Sequence, residues 1–219
     1  MNKLAYIVLA VAILGFFSCK SQDSIYEEYI VPNGLSYPGP AKNAVAKPGD
    51  GRIEIEWQRG ADPKVVNARI FWNNYSDSIE VPIATGMDII SKIIGPIPEN
   101  TYSFMIHTYD AKGNMSVPTE VTGTVYGEAY KRSLTNRRIK NRSIAGGTLK
   151  LEWNDAGKNE TGVNLMQGEN EPIVVERTET VTEIPDFDMN IPLFYNTMYK
   201  PDSLAIDTFF APTVEIEFE

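Results

Sequence analysis

The sequence predicts an all-β protein made of two tandem β-sandwiches. Between residues 52 and 57, polar and apolar side chains alternate strictly, which is the period of a half-buried strand, and the run ends at Trp57. The same pattern returns between residues 148 and 153 and ends at Trp153, roughly 100 residues later, which is the length of one sandwich domain. Short runs of strand-forming residues, separated by turn residues, follow each copy. Because no segment keeps a helical period over several turns, we expect strands and loops throughout.

The first copy contains a regular series of predicted strands. Turn residues precede its first strand at Asp50-Gly51 and its last strand at Gly113-Asn114. Pro82 has no backbone N–H to donate, so its strand is expected at the edge of a sheet. The predicted strands lie at residues 52–57, 68–72, 79–83, 89–94, 102–107 and 117–126.

The second copy is less regular. Gly146-Gly147 stands where Asp50-Gly51 stood in the first copy. The domain boundary is predicted near residues 126–130, and Tyr126 and Tyr130, which flank it, are expected to contribute to the contact between the domains. The predicted strands lie at residues 148–153, 163–167, 172–177, 181–184, 191–199 and 208–218. The predicted domains are therefore residues 37–126 and residues 127–219.

The N-terminus predicts export. Lys3 gives a positive start, residues 4–17 are almost all apolar, and Ser18 is a small residue directly before Cys19. An apolar run of about 14 residues is shorter than the about 20 that a membrane-spanning helix needs, so residues 1–18 are predicted to be a signal peptide. The position of Cys19 resembles that of a bacterial lipoprotein signal, in which the thiol is acylated. The alternative is an ordinary secretory signal with an incidental cysteine. Residues 19–36 are then a polar, lipidated tether.

Composition restricts the chemistry. The formal net charge of −9 argues against nucleic acid as a partner. One cysteine permits no disulfide within the chain, and with one histidine it excludes zinc sites built from several Cys or His ligands. We expect no cofactor, no metal and no catalytic residue. Calcium held by Asp186 and Asp188 and a small hydrolase using His107 are remote alternatives.

Two segments resemble parts of fibronectin type III domains. Residues 95–104 resemble the corner between strands E and F, and residues 110–118 resemble the turn between strands F and G. The resemblance implies that Trp57 is the core tryptophan of strand B and that Tyr102 is the corner tyrosine, whose hydroxyl bonds back to the backbone. Trp153 would hold the place of Trp57 in the second copy.

A larger part of the chain, from about Tyr37 to Phe209, resembles a group of two-domain, fibronectin-like surface lipoproteins of unknown function from glycan-foraging Gram-negative anaerobes. The resemblance implies attachment to the outer membrane, with the cell surface expected and the periplasmic face as the alternative. It also implies a spacer or binding scaffold in a glycan-uptake system, next to an outer-membrane transporter or surface glycan-binding proteins. The resemblance does not assign any catalytic or binding residues. It rests on Pro38-Gly39, residues 49–52, Asp62-Pro63, residues 70–72, 110–118 and 123–130, Ser133-Leu134, Arg137 and residues 199–209.

Loop aromatics are the candidate ligand-binding residues. Flat rings stack on the apolar faces of sugars, and Trp72 and Tyr75 lie in or next to a predicted loop. Direct carbohydrate binding through these rings is the alternative function, and packing in the core is the alternative role for Trp72. A cluster of six cations between Lys131 and Arg142 would recognise an acidic glycan or partner. The alternatives are a solvated strand face or ion pairs with the acidic first domain.

Three serines are candidate sites of O-glycosylation. Each follows an aspartate and precedes an aliphatic residue, which resembles the acceptor pattern of some Gram-negative bacteria. They are Ser24, Ser78 and Ser203.

Overall fold

The computed structural model describes residues 37–218, so the predicted signal peptide, Cys19, Ser24 and the predicted tether lie outside the described residues. Within the described range the protein is almost entirely β, and the prediction of tandem fibronectin-like sandwiches is confirmed. In the same range, no helix combines the length and the apolar character that crossing a membrane would require.

The first sandwich has two antiparallel sheets. The smaller sheet has the order β1-β2-β5 and the larger has the order β4-β3-β6-β7. The strand that carries Pro82 is an edge strand, as expected. The strands are β1 (Lys42–Pro48), β2 (Ile53–Gln58), β3 (Val65–Trp72), β4 (Asp77–Pro82), β5 (Ile89–Ile94), β6 (Asn100–Asp110) and β7 (Thr119–Val125).

Alternation along the strands places the first core between these sheets. Ile53, Ile55 and Trp57 of β2 all point inward and are almost fully buried. Phe104 and Ile106 of β6 face them from the other sheet, since side chains two apart share one face of a strand. The core is therefore built by the residues whose alternation predicted the strands.

The second sandwich begins with the short helix α1 (Glu128–Ser133) and again has two sheets. The smaller sheet has the order β12-β9-β8, and the larger has the order β11-β10-β13-β14, with β15 also paired to β13. The strands are β8 (Ile139–Ala145), β9 (Thr148–Trp153), β10 (Glu160–Gln167), β11 (Ile173–Glu176), β12 (Val181–Ile184), β13 (Leu193–Tyr199), β14 (Phe209–Phe210) and β15 (Val214–Glu215).

The second core repeats the plan of the first. Leu149, Leu151 and Trp153 of β9 are buried against Val163 and Leu165 of β10. The indole N–H of Trp153 donates to the Thr182 hydroxyl oxygen at 3.0 Å, so the ring is buried without losing its hydrogen bond.

Four elements differ from the prediction. Strands β1 and β8 were not predicted, because neither carries a run of large apolar residues. The predicted strand 208–218 is two short strands with Pro212 between them, and the proline cannot donate to β13. Helix α1 is too short for a helical period to be visible in the sequence.

Candidate functional site

Trp72 and Tyr75 lie at the hairpin between β3 and β4, but their rings belong to different surroundings. Trp72 is half-buried against the first core, and its ring centroid is 6.3 Å from that of Phe104. Tyr75 has 51% of its surface exposed, and its ring lies 4.9 Å from that of Phe71. The structure therefore does not bring the two candidate rings together as one binding surface.

The Tyr75 ring is held by a hydrogen bond to a buried histidine. His107 Nδ1 lies 3.0 Å from the Ser116 carbonyl oxygen, which can only accept, so this nitrogen carries the proton. In the neutral ring Nε2 is then the acceptor for the Tyr75 hydroxyl, at 3.3 Å. Both ring nitrogens of His107 are thus engaged in positioning a loop, which is a structural role.

The turn that holds Tyr75 outward has an unusual backbone. Asn73, Asn74 and Tyr75 have φ angles of 49°, 52° and 64°, in the left-handed region. Asparagine tolerates this region, whereas tyrosine rarely enters it. The Tyr75 ring is therefore held toward solvent by a backbone conformation that is unfavourable for tyrosine.

Tyr102 and Asp110 stabilise two loops of the first sandwich. The Tyr102 hydroxyl donates to the Pro98 carbonyl oxygen at 2.9 Å, a contact of the kind that defines a tyrosine corner. Asp110 Oδ1 accepts from the backbone N–H groups of Lys112 and Asn114, at 2.9 Å each. The Asn114 side-chain amide donates to the other Asp110 oxygen, and this hydrogen bond is the main reason that the pKa of Asp110 is below its ordinary value.

A polar contact joins the loops of the two sandwiches. Asp207 of the second sandwich accepts from Arg52 Nε at 2.9 Å and from the Asp50 backbone N–H at 3.0 Å. The Ile206 N–H donates to the Pro48 carbonyl oxygen at 2.8 Å. Gly49 fits this close approach, because a Cβ there would lie 2.6 Å from an Asp207 carboxylate oxygen.

An aromatic cluster adjoins this polar contact. Tyr126, Tyr130 and Phe209 have ring centroids 4.6 to 5.9 Å apart. Tyr199 and Leu134 complete the cluster, and Phe209 is only 1% exposed. Burial raises the pKa of both Tyr126 and Tyr130. We call the polar contact and this cluster together the junction, and Tyr126 and Tyr130 lie in it, as the sequence led us to expect.

The first sandwich also caps the helix that begins the second. The Glu99 carboxylate accepts from the backbone N–H groups of Ala129 and Tyr130 at 2.8 and 2.9 Å. These amides lie in the first turn of α1, where N–H groups have no partner within the helix. Lys131 of α1 also forms an ion pair with Asp50, with 2.7 Å between Nζ and Oδ2.

The six cations predicted as a cluster do not act together. Lys131 pairs with Asp50 next to the junction, and Arg132 is exposed on α1. Arg138, Lys140 and Arg142 are exposed on or beside β8. Arg137 is buried, and its Nε lies 3.5 Å from Glu160 Oε1 and donates to the Asn154 carbonyl oxygen at 2.7 Å. The cations that are close in sequence therefore have separate surroundings: one pairs near the junction, one is in a buried ion pair, and the others are exposed to solvent.

The remaining predicted sites are the candidate O-glycosylation serines and the candidate calcium site. Ser78 on β4 and Ser203 in the loop after β13 are both exposed. In the described range, no three His, Cys, Asp or Glu side chains converge on a point where they could hold a metal ion. Asp188 instead accepts from the backbone N–H of Asn190, within its own turn.

Sequence reasoning missed Asp207 and Phe209 as junction residues. Arg52 and Asp207 lie 155 positions apart, so no local spacing connects them. The only available signal was the resemblance of residues 49–52 and 199–209 to the lipoprotein group. Because both segments contribute to the resemblance, the sequence of each is restricted in that group, but this does not indicate that the two segments are in contact.

The Asp207 contact should depend on pH. The hydrogen bond from Arg52 holds the pKa of Asp207 below its ordinary value of 3.8. A carboxyl with a lowered folded-state pKa stabilises the fold above its unfolded-state pKa, and this stability is lost as the pH falls through the folded-state pKa. We therefore expect Asp207→Asn to lower the free energy of unfolding at pH 7, and the deficit to begin to shrink at about pH 3, below the unfolded-state aspartate pKa of about 3.9. Urea denaturation at both pH values measures the free energy of unfolding of the variant and of the wild type.

Asp155→Asn, at an exposed carboxyl, is the control. An Asp207→Asn deficit that is equal at both pH values would contradict the prediction.

The chain was compared with curated proteins and with solved structures. No curated protein matches its sequence. The FN1–FN3 domains of chicken CNTN1 are 11% identical, with a TM-score of 0.40, over 84% of this chain and 68% of that chain. A segment of two fibronectin type III domains from chicken tenascin is 13% identical, with a TM-score of 0.32, over 80% of this chain and 96% of that chain.

A family model also matches the chain. It spans residues 19–209, from the predicted acylation site through the first sandwich and most of the second. Its description is a domain of unknown function, so the match assigns no activity or ligand. The chain belongs to this family, DUF4998.

Proposed function

We propose that the protein is a non-catalytic surface lipoprotein that serves as a spacer and binding scaffold in an outer-membrane glycan-uptake system. Acyl chains on Cys19 hold it in the membrane, and the tether and the two sandwiches extend from that point. The observation that carries the proposal is the junction, in which Asp207 binds Arg52 and Phe209 packs on Tyr126 and Tyr130.

The junction supports a spacer because it restricts the angle between the two sandwiches. Sandwiches joined only by a flexible linker move relative to one another, and such a chain has no fixed reach. Here one side of the contact is held by charge-assisted hydrogen bonds to Asp207, and the other by buried aromatic rings. A fixed angle gives a fixed distance between the two ends of the pair of sandwiches.

The anchor and the partners are supported by the sequence. Cys19 directly follows the predicted signal peptide, and residues 20–36 provide a polar tether. The resemblance to surface lipoproteins of glycan-foraging bacteria favours an outer-membrane transporter or surface glycan-binding proteins as neighbours. Purification of the tagged chain from native membranes tests this association. Recovery of a transporter in comparable amount supports it, and recovery of the chain alone opposes it.

Replacing the acylated residue tests the anchor. We expect Cys19→Ser to move the protein from the membrane fraction to the soluble fraction, because two or more acyl chains are needed for stable anchoring. Ser21→Ala, two residues away, should stay in the membrane fraction. Wild-type protein that leaves the membrane in a salt wash without detergent would refute the anchor.

A direct carbohydrate-binding function is the second candidate, favoured by the exposed Tyr75 ring. The left-handed backbone at Tyr75 holds a flat ring outward over Phe71. Electrophoresis through gels that contain soluble plant and host polysaccharides measures such binding as retardation. We expect any retardation to be lost in Tyr75→Ala and kept in Tyr37→Ala, at an exposed tyrosine elsewhere. Retardation that is unchanged in Tyr75→Ala would exclude this ring as the binding surface.

A further inference from the structure

The smaller sheet of the second sandwich has an open edge along β8. In the first sandwich the corresponding edge strand is β1, which is covered by β7. The Thr119 hydroxyl on β7 donates to the Ala41 carbonyl oxygen at 2.7 Å. The two strands approach so closely that a Cβ at Gly123 would lie 2.6 Å from that of Ala46. In the second sandwich β8 likewise lies beside the strand that ends at the core tryptophan, but six of its seven residues are exposed.

Two residues of β8 direct their backbone hydrogen-bonding groups to this edge. Ala145 pairs with Thr148 across a two-residue turn, so residues 145, 143 and 141 form hydrogen bonds with β9. The N–H and C=O groups of Arg142 and Ile144 consequently point away from β9, because the direction of these groups alternates along a strand. A row of free backbone groups of this kind is a template for pairing with a further strand.

The side chains of the same two residues line a groove in the edge of the sandwich. Arg142 and Ile144 lie directly opposite core leucines of β9, and paired residues share one face of a sheet, so both side chains lie on the inward face. Met189 and Phe218 complete the lining of the groove, whose volume is about 550 Å³. No carboxylate of residues 37–218 lines it. The groove therefore has an apolar part at Ile144 and a positive part at Arg142.

The open edge is positively charged. Lys140 and Arg142 on β8 and Arg138 directly before it are all exposed. None of the ion pairs within residues 37–218 involves these three side chains. The edge strands β4 and β11, by contrast, carry Glu80 and Glu176. The β8 edge is thus a cationic site on a chain whose net charge is −9.

We propose that β8 binds an extended acidic segment of a partner protein, which joins the sheet as a further strand. The backbone of that segment exchanges hydrogen bonds with Arg142 and Ile144. One of its carboxylates pairs with the Arg142 guanidinium, and an apolar side chain enters the groove beside Ile144. The residues opposite Arg142 and Ile144 are two positions apart in the partner. In an antiparallel partner strand the apolar residue therefore comes first and the acidic residue follows two positions later.

Charge favours an acidic partner over a second copy of this chain. Pairing of two β8 edges would bring the Lys140 and Arg142 side chains of both copies together, and like charges that face each other across strands are destabilising. Charged side chains on an edge strand oppose self-pairing in this way. An acidic segment instead places opposite charges next to each other. The proposal depends on neither the Cys19 anchor nor the role in glycan uptake.

Fluorescence anisotropy of a labelled peptide, titrated with the full-length chain in a mild detergent, tests the proposal. The probe has threonine at every second position, with valine and then glutamates at the positions between, so that valine and glutamate lie on one face of the strand. Binding should be saturable and should weaken as salt is added. Arg142→Glu should weaken it by about tenfold or more, because a carboxylate replaces the cation that pairs with the peptide.

Matched controls separate strand addition from attraction between charges. In the peptide, N-methylation of the valine and the first glutamate removes the donors that face β8 and should abolish binding. N-methylation of the threonine between them leaves those donors intact and should preserve binding. In the protein, Ile144→Pro removes only a donor at the open edge and should weaken binding. Lys158→Glu changes the net charge as Arg142→Glu does, at an exposed position of the same sandwich, and should bind the peptide like the wild type.

Three results would overturn the proposal. One is the absence of saturable peptide binding, including the case in which polygalacturonate retards the wild type in a gel but not Arg142→Glu, which would assign the cations to an acidic glycan. Another is equal affinity of the two N-methylated peptides, which would show that charge alone attracts the segment. The third is unchanged affinity in Arg142→Glu, which alters an exposed side chain and so decides the question even if Ile144→Pro fails to fold. None of these results bears on the Cys19 anchor, which is tested by membrane fractionation.

Discussion

Phe209→Ala is expected to lower the free energy of unfolding by about 3–5 kcal/mol. The side chain is 1% exposed and is in contact with the rings of both Tyr126 and Tyr130. Truncation leaves a cavity where the two sandwiches meet, so contacts are lost on both sides of the junction. Urea denaturation followed by tryptophan fluorescence measures the change in the free energy of unfolding.

The neighbouring residue provides a matched control. Phe210 is also a strand phenylalanine, but it points outward and is 44% exposed. Phe210→Ala should therefore cost less than about 1 kcal/mol. Equal losses in the two variants would show that Phe209 is not the buried anchor of the junction.

Arg137→Met is expected to cost a similar amount, about 3–5 kcal/mol, for a different reason. The side chains of Arg137 and Glu160 are 1% and 2% exposed, and the removal of one leaves the other as an unpaired charge in the second sandwich. The Asn154 carbonyl oxygen also loses its donor. The free energy of unfolding in urea again measures the effect. Arg138→Met, at the adjacent exposed arginine, should change it by less than about 0.5 kcal/mol.

A double variant separates charge burial from packing. Replacing both members of a buried ion pair by apolar residues is often neutral or stabilising, because the desolvation cost disappears together with the attraction. Arg137→Met/Glu160→Met should therefore recover most of the stability that Arg137→Met loses. If the two losses add instead, the arginine acts through packing and its bond to Asn154 rather than through Glu160.

The fold was predictable where large apolar residues alternate. The strands that end at Trp57 and Trp153 carry such residues on every second position, and both tryptophans lie in the cores. Strand β1 escaped notice because its inward residues include Ala44 and Ala46, which are too small to stand out. Strand β8 was not predicted because it is an exposed edge strand with a mostly polar sequence.

The candidate site was only partly predictable, because its contacts join distant segments. Tyr126 and Tyr130 could be placed at the junction since they flank the domain boundary. Glu160, in contrast, lies 23 positions from Arg137, and only the resemblance to the lipoprotein group distinguishes this arginine from its exposed neighbours, without indicating its partner. Trp72 and Tyr75 are close in sequence, and only the left-handed hairpin between them decides that one packs inward and the other faces solvent.

The cap that Glu99 provides for helix α1 has a consequence for synthesis. Chains are made from the N-terminus, and N-terminal domains generally fold first. We therefore expect the carboxylate that accepts from the Ala129 and Tyr130 amides to be in place before Asp207 and Phe209 join the folded structure. The first sandwich can therefore orient helix α1 first, so that the second sandwich folds against a surface that is already ordered.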